Sequence, residues 1–447
     1  MLLVFLANAG LVSVATITGT VLYLPIALLV VTLAIILSRR LVWWLSAVLF
    51  GHIVLFLQRT TDISVSEAVF GIVSYGYLGA YFIDRIIVRR ETLFSAPGDR
   101  PLALFFLLAV ASAIPAVLFG NDPGLWAREL LVLAGFLLSF PLREACTTAG
   151  GKRVVLVTFA MLAGVMAVRN IVEYSERIRE IHYAWEIVSG RQTAGEPLFM
   201  AMVVWAAASL GISTQVRSRA ILLSVFVLFS FSLAATFSRG YWLGTFLALF
   251  VVFLFLTKPE RVRMAGILSL VCLGGIVLAW LMLGDRFGAV AAIVFGRLLS
   301  AGLALEDLSF LTRLEESKAV LAQIAANPVM GYGLGADFAY YSPLRGVTYT
   351  NAYVHNAYLW LWFKLGLAGL AVFLALYIGK IKAAINAFRR TGQNRPLAIT
   401  AVALLIGMMI ISFTSPQFYA RDSVMIIALC WAVLSAEEEE ESGQSSS

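Results

Sequence analysis

Charge is scarce in this chain. Asp, Glu, Lys and Arg together make up 13% of its 447 residues, about half the usual share in a soluble domain. With 61% apolar residues, a globule built from this chain would expose grease to water and aggregate. Lipid, by contrast, requires such a surface. Histidine is also scarce, and His52, His182 and His355 are scattered, which argues against a zinc site. Cys146, Cys272 and Cys430 fit neither a metal spacing nor a disulfide framework. Residues 1–38 carry no side-chain charge, so the basic n-region of a signal peptide is missing; the start reads as membrane-embedded and retained. No internal repeat is visible. Gly331-Tyr332-Gly333-Leu334-Gly335 lacks the strand–helix context of a dinucleotide fingerprint.

The chain does hold a series of apolar runs of span length. They cover roughly 2–18, 21–37, 41–57, 66–86, 101–119, 125–140, 152–172, 196–213, 219–236, 240–257, 264–283, 355–379, 397–414 and 422–435. The first two are compatible with one element broken around Gly19 and Pro25. The expected fold is therefore all-α, a polytopic transmembrane bundle of about 12–14 helices. One bundle over 1–436 is expected, with a large outer loop at 284–354 and a disordered acidic, Ser-rich tail at 437–447.

The net charge of +7 does not read as a nucleic-acid surface, because the basic residues sit in connectors. Alternate connectors hold Arg39 and Arg40; Arg89, Arg90 and Arg100; Arg143, Lys152 and Arg153; Arg217 and Arg219; Lys258, Arg261 and Arg263; and Lys380, Lys382, Arg389, Arg390 and Arg395. The short connectors between them hold only Arg59 and Arg421. The basic set is expected to be cytoplasmic, which puts 173–195 and 284–354 outside.

The long loop carries internal order. Thr312 and Glu315 match a capping box opening a helix. Leu314, Leu321 and Ile324 recur as its apolar face, and Asn327-Pro328 ends it. Tyr332, Tyr340, Tyr341, Tyr349 and Tyr353 crowd the rest of the loop; they suit either stacking on sugars or an interfacial aromatic belt.

Several polar residues could carry chemistry. Arg239 stands in Thr236-Phe237-Ser238-Arg239-Gly240, a tight turn between two spans at the outer face. It reads as a diphosphate clamp, since guanidinium presents a fork of donors, or as a side chain snorkelling to headgroups. His355 opens the span after the loop and could take a proton from an acceptor hydroxyl, or simply bond a backbone carbonyl. Arg313 and Arg191 are further phosphate candidates or solvated surface groups. Glu315 and Glu316 read as cap and surface. His182 reads as solvated and His52 as a packing residue in a span. Lys364 lies deep enough in its span to need a buried partner or a polar cavity, and points away from His355.

These pieces stand in a recognisable order. A Ser-Arg-Gly turn is followed by a span and an outer loop. The loop holds Thr312-Arg313-Leu314-Glu315 and Asn327-Pro328-Val329-Met330-Gly331-Tyr332-Gly333-Leu334-Gly335. His355-Asn356-Ala357-Tyr358-Leu359 then leads into Lys364-Leu365-Gly366-Leu367-Ala368-Gly369. Over roughly 225–380 the chain resembles the O-antigen ligase and Wzy-type polysaccharide polymerase family.

The resemblance implies a GT-C-like helical glycosyltransferase of the bacterial inner membrane, with its active site on the periplasmic side. It implies transfer of a glycan from an undecaprenyl-diphosphate-linked donor to a glycan or lipid A-core acceptor. O-antigen, lipopolysaccharide and exopolysaccharide assembly are the processes concerned. No cofactor and no metal is implied. The family's functional residues fall on Arg239, Arg313 and His355, with Arg191 a looser match. Tyr332, Tyr353 and Asn356 are the expected sugar or acceptor contacts. Gly195-Glu196-Pro197 departs from the family's Asn-Pro-Asn, and Lys364 stands where many members carry Glu. Polymerase and ligase remain open, with a preference for polymerase. A transporter or flippase of lipid-linked glycans is the alternative from another class.

Overall fold

A computed structural model describes residues 65–96, 98–178, 195–284, 308–342, 346–387 and 395–445, with 288, 291, 292 and 296. The three spans expected before residue 65 lie outside these, as do His52, His182 and Arg191.

The described helices are α1 (Val65–Ile83), α2 (Asp99–Ala111), α3 (Ala113–Leu118), α4 (Pro123–Ala134), α5 (Ser139–Cys146) and α6 (Ala149–Ile178). Next are α7 (Glu196–Ile212), α8 (Val216–Ala235), α9 (Arg239–Phe255) and α10 (Lys258–Leu283). Then come α11 (Leu308–Ala326), α12 (Ala357–Ala387), α13 (Arg395–Ile411) and α14 (Arg421–Ser445). Among the described residues, five stretches are long and apolar enough to cross a membrane: Asp99–Leu118, Pro123–Cys146, Ala149–Glu173, Val216–Ala235 and Ala357–Ile385. Glu196–Ile212, Arg239–Phe255 and Arg395–Ile411 are shorter apolar helices. The chain is an all-α, polytopic membrane protein.

Helix starts follow local chemistry. Asp122 accepts from the Gly124 and Leu125 N–H groups, with Pro123 at the first helical position of α4. At α10, Thr257 and Glu260 form a reciprocal capping box, with Glu260 Oε2 accepting from the Thr257 N–H at 2.7 Å. Breaks follow proline. Pro115 has no N–H for the Ala111 carbonyl, and α2 ends at Ala111. Pro141 likewise offers nothing to Leu137, which lies in a 3₁₀ turn at Gly135–Leu138.

The chain divides into two compact units. Of the described residues, those within 65–99, 137–162 and 435–445 form one. There Arg143, expected in a cytoplasmic connector, is instead buried in α5 and paired with Asp99 at 2.8 Å. The α14 helix continues to Ser445, through the acidic run for which composition predicts disorder. Ala and Glu are both strong helix formers, and a packed helix precedes the run as its nucleus.

The described residues within 100–136 and 163–434 form the other unit, which holds every described candidate site residue. Its centre is aromatic: Phe105, Phe136, Phe373, Tyr377, Phe418 and Trp431 pack ring on ring. α7 is buried along almost its whole length and packs against α8, α9, α10 and α13. Small residues let α9 and α13 approach closely, for a Cβ on Gly407 would stand 2.9 Å from the Gly244 carbonyl.

Basic residues mark one end of this unit. Arg263 donates to the carbonyls of Gly211, Ile212 and Ser213 at the end of α7. Arg395 pairs with Glu260 at 2.7 Å and donates to the Phe255 carbonyl at the end of α9. Arg239 lies at the opposite end of α9.

The long loop also contains an unexpected hairpin, β1 (Phe338–Ser342) with β2 (Val347–Asn351). The pairing is antiparallel, with Tyr340 opposite Tyr349. Tyr, Val and Thr favour the pleated surface, and five-residue strands are short enough to escape a reading tuned to spans.

Candidate active site

The site is assembled around α11 and the first turn of α12. α11 is already helical at Leu308, so Thr312 lies inside it and the expected capping box does not operate. No helix breaker stands between Leu308 and Thr312 to start the helix later. The expected apolar face also shifts. Leu314 and Leu321 are exposed, and the buried stripe is Glu316, Val320 and Ile324, at steps of four residues. Glu315 is a surface residue paired with Lys318 at 2.7 Å.

Asn327-Pro328 ends α11 as expected, and Asn327 Nδ2 donates to the Gly331 carbonyl at 2.7 Å. The three glycines beyond it have φ of +71°, +83° and +76° at Gly331, Gly333 and Gly335. They let the loop press against backbone. A Cβ on Gly333 would stand 2.5 Å from the Ala116 nitrogen, and one on Gly331 would stand 2.5 Å from the Gly366 nitrogen.

Gly366 kinks α12 with φ of +67°. The loop repairs that kink. The Phe363 carbonyl, which a straight helix would pair with the Leu367 N–H, accepts from the Tyr332 N–H at 2.9 Å. Leu367 donates to the Pro328 carbonyl at 3.1 Å, and Gly333 donates to the Lys364 carbonyl at 2.9 Å. The Gly-Tyr-Gly-Leu-Gly run is therefore a docking segment, with the N–H groups of Tyr332, Gly333, Leu334 and Gly335 spent on protein.

The partner of Lys364 is Glu129 of α4. Lys364 is fully buried, and its Nζ donates to Glu129 Oε1 at 3.0 Å and to the Ala336 carbonyl. Glu129 Oε2 accepts from the Gly335 N–H at 2.6 Å. Asn121 Nδ2 adds donations to the Tyr332 and Leu334 carbonyls at 2.8 and 3.0 Å. Tyr332 is built into this wall. Its ring lies between Phe119 and Phe363, and its hydroxyl donates to the Gln323 carbonyl at 3.1 Å.

His355 precedes α12, whose cap is Asn356: its Oδ1 accepts from the Tyr358 and Leu359 N–H groups at 3.0 and 3.1 Å. Glu316, fully buried, holds His355 twice. One carboxylate oxygen accepts from the His355 N–H at 2.5 Å, and the other lies 2.8 Å from Nδ1. The reading of Glu316 as surface is thus corrected. The signal was available in its four-residue spacing from Val320 and Ile324, but the Thr312–Glu315 pattern drew attention to the neighbouring acid. Tyr353, half-exposed, sets its ring edge-on to the imidazole at 4.8 Å between centroids. Arg313, half-buried, lies one helical turn before Glu316 on the same side of α11.

The connection 412–420 after α13 supports the His355 turn. Tyr419 Oη accepts from the Val354 N–H at 3.0 Å and donates to the Val354 carbonyl. Its ring stacks on Trp360 at 4.1 Å. Burial pushes the Tyr419 hydroxyl well above its ordinary pKa, so it remains an O–H. Ser412 accepts from the Ala357 N–H at 2.9 Å.

The same connection touches the Arg239 turn. Thr414 is the nearest neighbour of a Cβ built on Gly240, and Gln417 Oε1 accepts from the Tyr241 hydroxyl at 2.7 Å. The turn is strained, since Phe237 has φ of +50°. Ser238 Oγ donates to Glu196 Oε1 at 3.1 Å, and Glu196 is buried in the first turn of α7. Arg239 is half-buried at the start of α9. Glu316 and His355 therefore touch directly, Arg313 stands one helical turn from Glu316, and Gly240 and Tyr241 of the Arg239 turn meet the 412–420 connection that also supports His355. Among the described residues, no group of three His, Cys, Asp or Glu is placed to hold a metal.

No curated protein matches the chain. Residues 224–374 match the family model Wzy_C, described as O-antigen ligase. They hold Arg239, Arg313, Glu316, His355 and Lys364, whereas Glu129 and the 412–420 connection lie outside. The chain is thus a multi-pass membrane protein whose residues 224–374 are similar to the O-antigen ligase family.

Proposed function

We propose that the protein transfers a glycan from an undecaprenyl-diphosphate carrier to an acceptor hydroxyl in cell-surface polysaccharide assembly, as a polymerase or a ligase. The observation that carries this reading is His355, backed by the buried carboxylate of Glu316, which lies one helical turn from Arg313, within the O-antigen ligase segment. His355 takes the proton of the acceptor hydroxyl. The acceptor oxygen then bonds to the anomeric carbon of the donor sugar, and the bond from that carbon to the diphosphate breaks. The diphosphate leaves with the electron pair, and the anomeric configuration inverts. Arg239 and Arg313 bind the diphosphate and stabilise the charge it gains. Arg191 would be a further contact, and Tyr353 and Asn356 border the acceptor. Tyr332, committed to the loop wall, would act through packing.

The bacterial inner membrane and a periplasmic site fit the charge pattern. Arg263 and Arg395 mark the opposite end of the unit from His355, and basic ends face the cytoplasm. A transporter would look to the intramembrane charge of Lys364, but that charge is tied to Glu129 and a loop carbonyl. In nanodiscs with lipid-linked repeat units, His355→Ala and Arg239→Ala should each lose transfer while insertion is unchanged. Wild-type activity in both removes them from the site.

A further inference from the structure

We propose that Glu316 is a positioning residue, fixing the tautomer of His355 and leaving Nε2 as the proton acceptor; this rests on the reading of His355 as the base. Glu316 is fully buried on α11, where a carboxylate demands partners. Both of its described contacts are on His355. One oxygen takes the backbone N–H at 2.5 Å, and the other faces Nδ1 at 2.8 Å. The first contact holds the backbone and the second holds the ring.

An ionised carboxylate only accepts hydrogen bonds, so it selects the tautomer with the proton on Nδ1. Nε2 then carries the lone pair. The imidazole keeps 32% of its side-chain surface open, which gives an acceptor access. Tyr353 meets the ring at 88°, a second restraint on its rotation. Tyr419 pins the preceding residue through both backbone groups of Val354.

The chemical consequence is specific. When the acceptor hydroxyl gives its proton to Nε2, the ring becomes an imidazolium. The carboxylate at Nδ1 stabilises that charge without taking a proton itself. The proton on Nε2 later passes to water, and the ring returns to its starting tautomer. Glu315, one residue earlier, cannot substitute, since it is about 100° away around the helix and paired with Lys318.

Glu316→Gln separates positioning from mere capping. The amide oxygen can still accept from the His355 N–H, so the turn keeps its anchor. The amide nitrogen would face Nδ1 and donate, which drives the ring proton to Nε2. The full chain in nanodiscs should therefore lose about 10²–10⁴-fold in kcat with Glu316→Gln, with KM for the lipid-linked donor little changed. Glu316→Asp should recover part of that loss. His355→Ala combined with Glu316→Gln should be no worse than His355→Ala alone. Nitrogen NMR of ¹⁵N-histidine-labelled protein, with His355→Ala to assign the signal, should show wild-type His355 protonated on Nδ1 and the Gln variant protonated on Nε2. Wild-type kcat in Glu316→Gln with an inactive His355→Ala overturns this inference and spares the reading of His355. A wild-type His355 protonated on Nε2 also overturns it, whatever the kinetics. Full activity in His355→Ala overturns both.

Discussion

Replacing Lys364 with Met isolates the buried charge of Glu129. In the native chain the ammonium is fully buried, 3.0 Å from Glu129 Oε1, and also serves the Ala336 carbonyl. Met is close in volume and leaves no large cavity. It leaves Glu129 with the Gly335 N–H at 2.6 Å as its remaining described donor, and the Ala336 carbonyl without its ammonium. Removing one partner of a buried pair costs about 3–5 kcal/mol. Glu129→Leu alone should cost a similar amount, because it leaves the ammonium unpaired. Removing both charges relieves both desolvation penalties, which is worth about 1–4 kcal/mol. Against this stand the orphaned Gly335 N–H and Ala336 carbonyl, at about 1–3 kcal/mol each. The double variant should therefore be less destabilised than either single. Unfolding in mixed micelles titrated with SDS measures all three. Losses under about 1 kcal/mol in both singles, or losses that simply add in the double, would refute the clamp.

Other perturbations test neighbouring parts of the structure. Arg239→Lys keeps the charge but loses the guanidinium fork, so kcat/KM should fall about 10-fold or more in a transfer assay. Gly333→Ala forces a Cβ to within 2.5 Å of the Ala116 nitrogen at a φ of +83°, and should lower the thermal midpoint severely, by more than about 2 kcal/mol in stability. Glu315→Ala removes a surface pair with a Lys318 side chain that is 61% exposed. It should change stability by less than about 1 kcal/mol and leave transfer intact, in contrast to Glu316.

Hydropathy made the spans legible, because lipid imposes length and apolarity on each helix separately. The pieces of the site were legible to differing depths. Arg239 and His355 stood out as polar residues at span ends, Arg313 as a cation of the loop helix, and Lys364 announced its need for a partner. The identity of that partner was not legible, for Glu129 lies 235 residues away and reads locally as a span-end charge. Glu316 was legible in principle from its spacing to Val320 and Ile324, yet a capping motif one residue earlier offered a simpler reading. The glycine run could be excluded as a phosphate loop. Its actual task depends on the kink at Gly366, which no local pattern before Asn327 foretells. The 412–420 connection was invisible as a site element, since its work is done by a tyrosine hydroxyl and main-chain groups reaching other segments.

Glycan transfer by the purified full chain tests the central claim most directly. Nanodiscs would receive undecaprenyl-diphosphate-linked repeat units from the host, with and without a lipid acceptor. A polymerase should yield longer lipid-linked chains without added acceptor, and a ligase should yield product only with acceptor. An active donor preparation that yields no transfer, while the lipid moves between leaflets, would contradict the transferase reading.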